Sequence, residues 1–128
     1  IFYKVKQKPG KPLFFGKTDN CAVFALPGNP SAALSCFYEY VLLAIQRMKG
    51  DPSPPMEIRK LNCSSDFNKK GDRAQFLKGK TEGELVHILE GQSSSMLHSF
   101  ASANCLVFLD AEQQQIQKGQ VVEVHMLP

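Results

Sequence analysis

The chain of 128 residues lacks several features, and each absence narrows what it can be. No apolar run approaches the ~20 residues that a membrane span requires; the longest such segment is Tyr38 to Ile45. Nothing at the start reads as a signal peptide. There is no initiator Met, and Ile1 already stands inside a strand-like pattern, so the expectation is a piece of a longer protein. Cys21, Cys36, Cys63 and Cys105 are far apart, without the paired spacing of a zinc site or redox dithiol. His87, His98 and His125 show no metal-ligand spacing, and Asp66, Asp72 and Asp110 are scattered rather than paired for acid–base work. A Walker loop, a Gly-x-Gly-x-x-Gly fingerprint and any internal repeat are also missing. Asp and Glu are absent from the first seventeen residues, where Lys4, Lys6, Lys8, Lys11 and Lys17 crowd together.

What is present amounts to a globular chain, 43% apolar, with a net charge of only +3 that does not by itself imply nucleic acid. Widely spaced cysteines, with Cys36 and Cys105 in apolar settings, fit buried thiols in a reduced, cytoplasmic protein. Ile1 to Gln7 alternates, which predicts a strand with Lys4 and Lys6 on one face and Lys8 continuing it. Leu13-Phe14-Phe15 is a second short apolar run, stopped by Gly16, and Val23 to Leu26 reads as a short buried strand.

Leu26-Pro27-Gly28-Asn29-Pro30-Ser31 then turns the chain into a helix predicted from about Ser31 to Lys49. Asn29 is a good N-cap, and Pro30 suits the first turn. Leu34, Phe37, Tyr38, Val41, Ile45 and Met48 recur at helical spacing and give one apolar stripe. Gly50 ends it, and 51–55 (Asp-Pro-Ser-Pro-Pro) is a stiff linker and domain boundary. Beyond it, strands are expected at 56–62, 73–78, 84–89, 105–109 and 121–126. A short helix from Ser94 to Ala103 would have Met96, Leu97, Phe100 and Ala101 as its inner side. That pattern suggests a small β-barrel closed by a helix.

A strand feeding a rigid corner into a helix leaves free N–H groups and partial positive charge, which suits phosphate or another oxyanion. The basic turn Lys8-Pro9-Gly10-Lys11-Pro12 lies just upstream. Three lysines on one strand face are costly without a compensating anion, although a solvated edge strand guarded by lysines is the competing reading. Gln92-Ser93-Ser94-Ser95 offers hydroxyls and N–H groups to an anion or an ordinary helix cap, and Arg73 could clamp a phosphate or stand on the surface. The residues alone therefore describe an anion-binding half-site joined to a small β-domain.

Lys8-Pro9-Gly10-Lys11-Pro12, Phe15-Gly16 and Phe24-Ala25-Leu26-Pro27-Gly28-Asn29-Pro30-Ser31 resemble the C-terminal part of the molybdopterin molybdenumtransferases. This is the MoeA family, which includes the E domain of gephyrin. Arg73-Ala74-Gln75-Phe76, Gln92-Ser93-Ser94-Ser95-Met96-Leu97, Ala101-Ser102-Ala103-Asn104-Cys105-Leu106 and Gly119-Gln120-Val121-Val122-Glu123-Val124 are similar to its final domain.

The resemblance implies the closing strands and helix of a MogA-like molybdopterin-binding α/β domain over residues 1–50, followed by the C-terminal β-barrel (domain IV) over 56–128. It implies insertion of molybdenum from molybdate into adenylylated molybdopterin with release of AMP. A Mg2+ cofactor, with ligands upstream of this chain, and an elongated homodimer are implied as well, with no part for membrane or nucleic acid. Lys4 and Lys8 match lysines lining the family's active cleft. Lys11, Pro27, Gly28, Asn29, Pro30 and Ser31 fall in its cleft turns, and Arg73 and Ser94 match barrel residues facing the cleft. Ser93 stands where many members have Gly. The glycine-rich loop and acidic residues expected upstream are absent, so the piece is expected to be inactive alone. A scaffold or dimerisation module of the gephyrin kind is the alternative, to be revealed by an exposed apolar groove between barrel and linker. An oligonucleotide-binding barrel is disfavoured, because Phe67, Phe76, Phe100 and Phe108 look too scattered for a stacking stripe.

Overall fold

The computed structural model describes residues 2–93 and 97–128, the first two of them by backbone alone. The chain opens with four short strands, β1 (Phe2–Tyr3), β2 (Gln7–Lys8), β3 (Phe14–Lys17) and β4 (Ala22–Ala25). β1, β3 and β4 form an antiparallel sheet in which Phe15 lies opposite Phe24, their ring centroids 4.9 Å apart. β2 belongs to a different sheet. The reason is local: Lys4 adopts a φ of 61°, which breaks an extended chain, and its N–H donates to the Leu13 carbonyl at 3.1 Å. The expected continuous strand from Ile1 to Gln7 is therefore corrected to two pieces, and Lys4, Lys6 and Lys8 share no strand face. Gly16 lies inside β3 rather than ending it, and β4 is half-buried, with Val23 45% exposed.

One helical run follows, in three parts: α1 (Pro30–Cys36), a π-helical turn (Phe37–Val41) and α2 (Leu42–Met48). Its limits match the predicted helix, but its buried face does not. Ser31, Ala32, Ser35 and Cys36 are the buried residues, whereas Ile45 and Met48, from the apolar stripe, are exposed. Small side chains win here because the Lys8–Pro12 turn approaches closely. Gly10 has a φ of 101°, and a Cβ there would collide with the Cys36 sulfur. Asn29 accepts from Ala33 N–H through its backbone carbonyl at 2.9 Å, but its side chain makes no cap, and Asn29 Oδ1 is buried without a hydrogen-bond partner.

After the Pro-rich segment come β5 (Ile58–Cys63), β6 (Phe67–Asn68), β7 (Ala74–Glu82), β8 (Leu85–Ile88), β9 (Cys105–Leu109), β10 (Gln115–Ile116) and β11 (Val121–Met126). β7, β8, β5, β11 and β9 close into a five-stranded barrel, with β7 pairing β9 to complete the ring. The β5–β8 pair is parallel and the other four are antiparallel, so the barrel is mixed. Period-two alternation supplies its interior: Leu61 and Cys63, Leu77, Cys105, Val107 and Leu109, Val122 and Val124 all point inward with Val86 and Ile116. Gly79 completes that lining, since a Cβ there would press on Cys105, Val107 and Val86 at 3.1–3.2 Å. All five expected strands are present. The two-residue ribbon of β6 and β10 is an addition, too short to leave a periodic trace.

The expected second helix is, among described residues, a 3₁₀ turn at Leu97–Ala101 whose buried residue is Ser99, with Leu97 exposed. Met96 lies outside the described residues. The phenylalanines are less scattered than their positions in sequence: Phe76 and Phe108 stand in register across β7 and β9, 5.2 Å apart, with the His125 ring stacked on Phe108 at 6.0 Å.

β2 joins the barrel edge, running parallel to the start of β7 with Gln7 opposite Ala74 and Lys8 opposite Gln75. A second tie comes from the π turn, which presents Glu39 to His125. His125 Nδ1 lies 2.9 Å from the Glu39 carboxylate and Nε2 lies 2.8 Å from Glu123. Burial opposes the imidazolium, but the hydrogen bonds it donates to the two carboxylates outweigh it and raise the His125 pKa; the bond from His125 in turn lowers that of Glu123.

The sign of the pH effect follows. His125 contributes stability that is complete below its unfolded value of about 6.5 and is lost as pH rises through the higher folded value. Glu123 contributes above the ordinary carboxylate range and loses its share as pH falls through its lowered value. Urea unfolding should show His125→Gln costing about 2 kcal/mol near pH 6, with the difference shrinking at alkaline pH. A pH-independent difference would contradict a charged latch.

Candidate functional site

The β2–β7 pairing draws together residues distant in sequence. Lys8 and Lys11 from the first turn, Pro27, Gly28 and Asn29 from the helix corner, and Arg73 from the barrel line one cavity of about 300 Å³. That volume is at the lower end of small-molecule sites. Two lysines and an arginine line it, and no carboxylate does. A neighbouring depression of about 280 Å³ shares Lys11 and Arg73 and adds Lys4, Lys6 and Asp72. A third cavity, about 210 Å³, shares Lys8 and Pro9 and is walled by Phe67, Phe76 and Leu77.

Each position has a local cause. Gly10 is left-handed, so the chain reverses within a few residues and places Lys8 and Lys11 on one concavity. Gln7, 5% exposed, anchors that reversal. Its Nε2 donates to the Pro9 carbonyl at 2.9 Å and its Oε1 accepts from the Tyr40 hydroxyl. Tyr40 is a protonated donor at neutral pH, and burial, with the nearby Cys36 and Glu39 adding to it, pushes its pKa further up to about 12. Arg73 is aligned by donating from Nη1 to the Gln7 carbonyl at 3.3 Å, and Ala74 N–H donates to the Lys6 carbonyl at 3.2 Å. Lys6 also pairs with Asp72 at 3.2 Å, and that hydrogen bond holds the Asp72 carboxyl below its usual range.

The structure thus gathers Lys8, Lys11, Pro27, Gly28, Asn29 and Arg73 and puts Lys4 one depression away. It does not put Pro30 or Ser31 in the cavity wall: Pro30 is exposed at the corner, and Ser31 is 1% exposed, behind it. Ser31 Oγ instead accepts from Lys78 Nζ at 3.3 Å. Ser94 lies outside the described residues. Gln7 and Lys78 escaped the sequence reading. Alternation between the inward Leu77 and Gly79 turns Lys78 outward, where a lysine is expected in solvent, so the sequence carried no signal of its burial.

Chemically, a concavity lined by guanidinium and ammonium groups from separate segments can bind and orient an oxyanion by charge-assisted hydrogen bonds. As a donor set for a cation it is unsuitable: among the described residues no group of three or more His, Cys, Asp or Glu could hold a metal ion.

A small mixed barrel with a cationic cleft at its β7 edge defines the class. The family model for the MoeA C-terminal region (domain IV) matches residues 60–127, and the chain belongs to that family. It is similar to the molybdopterin molybdenumtransferase of Haemophilus influenzae, 30% identical over 129 residues, covering 96% of this chain and 32% of that protein. Molybdopterin molybdenumtransferase 1 of Mycobacterium tuberculosis is 33% identical over 135 residues, with 97% and 32% covered. The chain therefore spans 32% of the length of either relative. In three dimensions it resembles a molybdopterin biosynthesis MoeA protein of Pyrococcus horikoshii, with a TM-score of 0.83 at 22% identity, covering 98% of this chain and 32% of that one.

Among the described residues, Asp72 is the one carboxylate that lines the two cationic depressions. Asp72→Asn in the intact protein should tighten binding of a divalent oxyanion about twofold at low ionic strength and have little effect at high salt. Isothermal titration with molybdate or sulfate would check this, and weaker binding would count against an electrostatic cleft.

Proposed function

We propose that the intact protein inserts molybdenum into molybdopterin, from molybdate and adenylylated molybdopterin with release of AMP, and that this chain supplies one wall of the cleft. The observation that carries the reading is the convergence of Lys8, Lys11 and Arg73 on one cavity beside the Pro27–Asn29 corner. In this reading Arg73 grips oxyanion oxygens in two-point fashion, and Lys8, Lys11 and, from the adjoining depression, Lys4 offset the negative charge of molybdate and phosphate. Their role is to bind and orient the reactants, for which positioned cations suffice. A magnesium ion does not fit the residues present, and no step is derived through one. Residues 1–50 are read as the end of a MogA-like α/β domain, and the intact protein as a cytoplasmic homodimer.

A second reading has an observation in its favour. An apolar groove of about 200 Å³ runs between Leu43 of the helix, Pro54, Pro55 and Met56 of the connecting segment, and Ile58 of the barrel. Such a groove is what a docking module would offer.

Molybdenum-cofactor synthesis by the intact protein separates the two. Lys8→Ala should lower turnover at limiting molybdate by about tenfold, the effect of one charge-assisted contact, and Pro30→Ala, which relaxes the corner, should lower it by less. Undiminished turnover in both variants would overturn the insertion reading of this cleft.

A further inference from the structure

Among the described residues, Lys78 is a buried cation that the function proposed above does not use. It is 3% exposed, and its Nζ lies 3.3 Å from Ser31 Oγ and 3.4 Å from the Ser93 carbonyl, 5.4 Å from the Phe100 ring centroid. Strand alternation explains its direction. Leu77 points into the barrel core, so Lys78 and Phe76 point outward, and Lys78 is covered there by the start of α1. Burial lowers its pKa, so the site carries a desolvation cost that an apolar residue would avoid.

The two oxygens it holds belong to separate elements, the start of α1 and the segment after β8. Ser31 follows directly on the corner whose Pro27, Gly28 and Asn29 line the cavity. Ser93 belongs to the barrel segment that Gln92 already docks on β7, its side-chain amide pairing with the Lys78 backbone at 2.8 Å in both directions. Lys78 thus receives the barrel segment through its main chain and reaches the helix corner through its side chain.

We propose that Lys78 is a positioning residue of the oxyanion cleft, its ammonium tying the Pro27–Ser31 corner to β7, the strand that begins directly after Arg73, and so fixing the corner against the barrel side of the cavity. The inference rests on the cleft reading above. An ammonium suits the task because one group can donate to two oxygens on separate elements at once.

The test uses the intact protein, with molybdate as the probe, measured both by equilibrium binding and by steady-state KM and kcat. Lys78→Met should weaken binding and raise KM for molybdate about tenfold while kcat stays within about twofold, and Lys78→Arg should restore most of the loss. Ser31→Ala should reproduce part of the defect, and the double variant Lys78→Met/Ser31→Ala should be no worse than Lys78→Met, because one tie cannot be cut twice.

Lys8→Ala is the control for the cleft itself. If it weakens molybdate binding while Lys78→Met and Ser31→Ala do not, the positioning role is wrong and the cleft stands. If Lys8→Ala also leaves binding intact, the cleft reading fails and takes this inference with it. Should Lys78→Met not fold, unchanged molybdate affinity in Ser31→Ala is sufficient to overturn the proposal.

Discussion

Everything that makes a cleft of this chain passes through Gln7. Its backbone runs beside β7, its carbonyl receives Arg73, and its side chain grips both its own turn and Tyr40 of the helical run. A buried amide satisfied on both sides specifies geometry more tightly than apolar contact, because any other arrangement leaves a donor or acceptor unpaired. The consequence is a fixed relation between the basic turn at Lys8–Lys11 and the barrel edge at Arg73. The Glu39–His125–Glu123 cluster fixes the helix to the barrel at another point, so the first fifty residues are held at both β7 and β11.

Charge then gives that relation its chemistry. Ammonium groups crowded on one short segment repel one another; folding pairs Lys6 with Asp72 but places the Arg73 guanidinium, not a carboxylate, in the cavity with Lys8 and Lys11. Clustered like charges of this kind are the local departure from an optimal fold that binding sites commonly show. The lysine row was expected on a single strand face. Lys8 and Lys11 reach one cavity instead by turning, because Lys4 breaks the strand and the left-handed Gly10 redirects the chain. Lys78 and Ser31 lie one layer behind, where they hold the walls rather than line them.

Much of this was legible in the residues. The five barrel strands were visible from alternation, since each has one face in the core, and the helix limits from the Asn29-Pro30 start and the Gly50 stop. Lys8, Lys11, Arg73 and the Pro27–Asn29 corner could be named because basic and rigid residue types carry their chemistry openly. Long-range choices were not legible. That β2 leaves its neighbours for β7 depends on a backbone angle at Lys4 and on a partner sixty-six residues away from Gln7. That the helix buries Ser31, Ala32, Ser35 and Cys36 depends on the close approach of Gly10, which overrides the apolar stripe. Gln7 and Lys78 escaped because long polar side chains are expected at the surface, and only the fold shows that each is enclosed by acceptors and donors.

The central claim is that Lys8 and Arg73, brought from separate segments by the β2–β7 pairing, act on one oxyanion. The most direct measurement is molybdate affinity of the intact protein in a double-mutant cycle of Lys8→Ala, Arg73→Ala and the pair. A shared ligand predicts that the losses are strongly non-additive, with a coupling of about 1 kcal/mol or more. Losses that simply add, to within about 0.3 kcal/mol, would mean that the two cations serve independent surfaces and that the cleft described here is not a single site.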